Sequence, residues 1–164
     1  PARGPVSLYT LRADVQSRAD TMNTVLGWPD RVLVISQGDD ATRWYYYRYE
    51  LTAQVVNGFG GFYGRLGETQ DRWDSDFMNL VESENWTLYD YKAVCVPDTL
   101  VAYMAEKDCD YILIDRADDY LQREFSPLFE GGLTNDMPAT LYHFEGADAA
   151  APFKLAAVAE SGVE

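Results

Sequence analysis

The chain has 164 residues, 13 basic against 27 acidic side chains for a net charge of −14, and 47% hydrophobic residues. That apolar content suits one buried core and excludes low-hydrophobicity disorder. No apolar run approaches the ~20 residues of a membrane span, and a surface this acidic argues against nucleic acid as a partner, because a phosphate backbone repels it.

The opening Pro1-Ala2-Arg3-Gly4-Pro5 reads as a linker, residues 1–7, from a larger parent protein. Residues 8–27 then read as a helix. Leu11, Val15, Arg18, Ala19, Met22, Val25 and Leu26 form a mostly apolar stripe at three- and four-residue spacing, and Gly27-Trp28-Pro29 is a stop signal. Residues 31–36, Arg-Val-Leu-Val-Ile-Ser, make a β-branched run without alternation, as expected of a strand buried on both faces of a parallel sheet.

Residues 39–53 carry two periodicities. Trp44, Tyr47, Leu51 and Val55 keep helical spacing, while Tyr45, Tyr47, Tyr49 and Leu51 alternate as a strand does. The expectation is a short helix passing into a strand near Tyr49. Residues 57–67 hold five glycines and read as an irregular loop. Residues 71–81 read as a helix with Trp73, Phe77 and Leu80 on one face.

Residues 91–115 predict a strand-helix-strand unit. Ala93 to Val96 forms the first strand, Pro97-Asp98 opens the helix with Leu100, Val101 and Met104 on its apolar face, and residues 111–114 form the second strand. Such a short unit predicts a parallel pair with a right-handed crossover. Residues 119–129 predict another helix, and residues 140–144 and 153–158 an antiparallel pair at one sheet edge. The whole is expected to be a single α/β domain over residues 1–164, Rossmann-like in three layers, with a mostly parallel sheet and an antiparallel edge pair.

In open parallel sheets, ligands gather at the carboxyl ends of the strands. Asp39 and Asp40 follow the first strand; Asp115, Asp118 and Asp119 end the third. If those strands are neighbours, their carboxylates can converge on Mg²⁺ or Ca²⁺, which prefer oxygen ligands. Aspartates there also simply cap helices and make turns, so a cofactor-free domain without a metal site is the leading expectation. The tract Trp44-Tyr45-Tyr46-Tyr47-Arg48-Tyr49 offers rings with polar edges, suited to sugar or protein contacts. Trp44, Tyr46, Asp39, Asp115 and Asp118 are therefore the candidate binding residues.

His143, the only histidine, lies in an apolar strand without a Gly-x-Ser-x-Gly motif, which argues against triad hydrolysis. The glycine loop lacks a following Gly-Lys-Ser/Thr. Asn85-Trp86-Thr87 matches a glycosylation acceptor that means something only in a eukaryotic secretory setting. Cys95 and Cys109 have no zinc-ligand spacing. If strands 93–96 and 111–114 are parallel neighbours, the two cysteines stand roughly 15 Å apart, too far for a disulfide, and two free thiols are expected.

Several phrases resemble one family. Residues 31–39, ending Ser36-Gln37-Gly38-Asp39, resemble the "strand then Ser/Ala-Gln-Gly-Asp" opening of soluble domains from bacterial multi-pass membrane proteins. Tyr49-Glu50-Leu51-Thr52 resembles their "Tyr-x-Leu-x-Pro" strand, with Ala53 in place of the proline. Cys109 to Ile114 resembles their "Tyr-Asp-Tyr-Val" strand, and Tyr120 to Phe129 followed by Thr140-Leu141-Tyr142 resembles their terminal pattern. The parents resemble polyprenyl-phosphate-sugar glycosyltransferases of the many-helix type, or relatives known only as integral membrane proteins; in such proteins the catalytic acids lie in loops of the membrane part. The resemblance implies a non-catalytic accessory domain at the cell membrane, on the extracytoplasmic side. Its implied partners are the membrane-embedded part of the parent and a glycan or lipid-linked sugar. The rival expectation is a small α/β enzyme or nucleotide-binding domain built on the acidic metal site.

Overall fold

A computed structural model describes residues 8–36, 42–56, 97–117 and 119–158 of the chain. The expected linker, the glycine loop, the helix over 71–81, the strand over 93–96 and the acceptor at Asn85 lie outside the described residues. Five strands form one sheet in the order β2-β1-β3-β4-β5. β1 (Arg31–Ser36) pairs in parallel with β2 (Gln54–Val56) and with β3 (Tyr111–Arg116). β4 (Thr140–Phe144) joins β3 antiparallel, and β5 (Phe153–Val158) joins β4 antiparallel. The fold is thus mixed α/β, with the sheet parallel at one end and antiparallel at the other, as the sequence predicts.

Helix α1 (Leu8–Met22) buries Leu11, Val15, Ala19 and Met22, and with them Asp14 and Arg18. It ends five residues before the expected stop. Asn23, Thr24 and Val25 are poor helix formers, and the chain leaves the helix through tight turns that still bury Leu26. Val32, Leu33, Val34 and Ile35 of β1 are fully buried, as a run covered on both faces requires.

Helix α2 (Thr42–Glu50) corrects the expected change to strand near Tyr49: it holds to Glu50, and β2 begins only at Gln54. Of the two periodicities the helical one wins: Tyr47 and Leu51 are buried while Tyr49, which alternation would place on their face, is 66% exposed. α3 (Pro97–Glu106) starts with proline at its first position, where the missing N–H costs nothing. It buries Leu100, Tyr103 and Met104. It closes with Asp108 at φ 52 and Cys109 N–H donating to the Met104 carbonyl, a left-handed cap of the kind aspartate tolerates.

α4 (Asp119–Phe125) is shorter than the expected helix to Phe129. A 3₁₀ turn over Ser126–Leu128 replaces its end, since Pro127 lacks an N–H and its ring clashes with the preceding turn. Both edges of β3 over Tyr111–Ile114 are occupied, by β1 and β4, which corrects the expected neighbour of that strand. The parallel partner that β3 takes is β1, far earlier in the chain.

Two clusters of buried side chains divide the sheet residues by parity. Leu33, Ile35, Ile112 and Ile114 pack with Leu100, Tyr103 and Met104 of α3 and Leu121 and Phe125 of α4. Val32, Val34, Leu113 and Leu141 pack with Val15, Ala19 and Met22 of α1 and Tyr47 of α2. Each fully buried Leu, Ile or Phe contributes about 1.5–3 kcal/mol, so these faces supply most of the fold's driving force. Phe129 stacks on Phe153 at 4.5 Å and meets Tyr142 edge-on at 4.8 Å, closing the first cluster beside β5.

β5 is an outer strand whose pairing is restricted at its other edge. Ala156 is an extra residue between the Tyr142–Leu155 and Leu141–Ala157 pairs, Phe153 bridges to Phe129, and the Glu130 carboxylate accepts the Leu155 N–H at 2.8 Å. A bulge, a charged cap and a lysine are devices that blunt edges against pairing with other chains. Among the described residues, no helix is long and apolar enough to cross a membrane.

Candidate functional site

The carboxyl end of β3 holds Asp115, one of the two described carboxylates among those expected to converge at the parallel edge, the other being Asp119. Asp115 shares its strand face with Leu113, toward α1 and α2. The β1–β3 register passes from Ile35↔Ile114 to Ser36↔Arg116, which leaves Asp115 as the extra residue, and bulges of this kind re-aim side chains. Its side chain has 0% exposure.

Three side chains from two helices attend it. Arg18 Nη1 donates to Asp115 Oδ1 at 3.1 Å, and the Tyr47 hydroxyl donates to the same oxygen at 2.8 Å. Arg18 Nε donates to Asp14 Oδ1 at 3.2 Å. Asp14 and Arg18, four residues apart, sit on one face of α1, on the stripe that packs toward the sheet. Desolvating a charge costs several kcal/mol, so such groups persist in a core only when paired and hydrogen-bonded. Guanidinium suits the place because it stays charged and offers five donors in a rigid fork. Chemically, the arrangement ties α1 and α2 to the end of β3.

The other candidates are not brought to this cluster. Asp39, Asp40 and Asp118 lie outside the described residues, as does the side chain of Trp44. Tyr46 is half-buried against the α1–α2 side of the core, with the Arg12 guanidinium 5.9 Å from its ring centroid. Asp119 is exposed in the first turn of α4, where a carboxylate favours the helix dipole. Among the described residues, no three His, Cys, Asp or Glu side chains gather as metal ligands.

Sequence reasoning missed Asp14, Arg18 and Tyr47 as partners of Asp115. The signal was present: a charged residue on an otherwise apolar helical stripe needs a buried counter-charge, and Asp14 one turn earlier supplies only part of it. At the opposite, amino edge of the strands, Tyr111 meets His143 edge-on at 5.2 Å, and His143 Nδ1 contacts Glu145. Burial, then the Asp30 and Asp110 carboxylates, raises the Tyr111 pKa. Cys109 is a free, buried thiol, pushed up to about 12, chiefly by burial, and so is a poor nucleophile. Cys95 lies outside the described residues.

None of the family models, curated proteins or solved structures compared with the chain matches it.

Proposed function

We propose that the chain is a non-catalytic accessory and interaction domain, Rossmann-like in three layers, from the extracytoplasmic side of a bacterial integral membrane protein related to the many-helix glycosyltransferases. Its partners in this reading are the membrane-embedded part of its parent and a glycan or lipid-linked sugar. The layered architecture is supported by the two core clusters, which carry α3 and α4 residues in one and α1 and α2 residues in the other.

The observation that carries the functional reading is the engagement of Asp115. An α/β enzyme keeps reactive or metal-binding carboxylates accessible at the carboxyl edge of its sheet. Here the Asp115 carboxylate is enclosed and holds Arg18 and Tyr47, which is the work of a structural group. The test is an assay of the purified chain on phosphate esters and nucleotide-activated sugars with Mg²⁺ present. No turnover is expected. Turnover that disappears on Asp115→Ala would instead favour the metal-dependent enzyme.

A further inference from the structure

We draw no further inference here: the strongest candidate, the exposed Leu155 and Val158 side chains on the outer strand β5 beside the Glu130 carboxylate, carries none because nothing in the structure shows what covers them.

Discussion

Arg18 and Asp115 are 97 positions apart in the chain, yet their side chains meet at 3.1 Å inside the core, with 10% and 0% exposure. The pair joins the first helix to the end of the central strand. Removing one member of a buried ion pair typically costs about 3–5 kcal/mol. Asp115→Ala and Arg18→Met are each expected to destabilise the domain by that order in urea unfolding. Tyr47→Phe removes one hydrogen bond to a charged group and should cost about 1.5–3 kcal/mol. Losses under 1 kcal/mol for all three would show that the cluster does not hold the helices.

The aromatic tract divides by position. Tyr47 is fully buried, Tyr46 half-buried and Tyr49 66% exposed. Tyr47→Ala is expected to cost about 3–5 kcal/mol, as large-to-small aromatic changes in cores do. Tyr49→Ala and Trp28→Ala should stay within about ±0.5 kcal/mol. Chemical denaturation of the three variants checks the order. Equal costs would contradict the helical arrangement of α2.

The sequence made some elements plain because their determinants are local. The unalternated β-branched run at Val32–Ile35 announced a strand covered on both faces, and the terminal runs announced the antiparallel pair. Pro97 marked the start of α3 correctly. Elsewhere the deciding contacts were distant. Whether Tyr47 belonged to helix or strand was settled by what it could bury against, since tyrosines at 45, 46, 47 and 49 satisfy both periods. The neighbour of β3 could not be read from the compact unit at 91–115, because pairing with β1 depends on sheet order rather than on loop length. Asp115 was legible as a residue at a sheet edge, but its role was set by Arg18 on a distant helix.

Alkaline pH should weaken the fold. Tyr142 is raised from 10.0 to about 12, first by burial and then by the Glu130 carboxylate. Cys109 is raised from 9.0 to about 12, first by burial. In both, the folded state holds the proton more tightly than the unfolded chain. Their contribution is therefore full below the ordinary values and is lost as pH climbs from about 9 toward about 12. The loss is of the order of 2–3 kcal/mol for Tyr142. Urea midpoints across pH 8–11 check this, and Tyr142→Phe should flatten the upper part of the fall. A midpoint rising through that range would contradict it.

The protected edge of β5 yields a solubility prediction. The Glu130 carboxylate holds the Leu155 N–H, and Leu155 itself is 51% exposed. Glu130→Ala frees that donor beside an apolar side chain. Self-association is expected to rise with concentration in sedimentation or light scattering, while monomer stability falls by about 1 kcal/mol. An unchanged mass at all concentrations would mean that the bulge and Lys154 suffice.

The measurement that bears most directly on Asp115 is thermal unfolding of wild type and Asp115→Asn, each with and without millimolar Mg²⁺ or Ca²⁺. A structural carboxylate requires a large drop in Tm on substitution and no response of either protein to the ions. A specific metal site filled to 100 times its Kd would instead add about 2.7 kcal/mol to the wild type. A metal-dependent rise in Tm that vanishes in Asp115→Asn would contradict the structural role and the accessory function built on it.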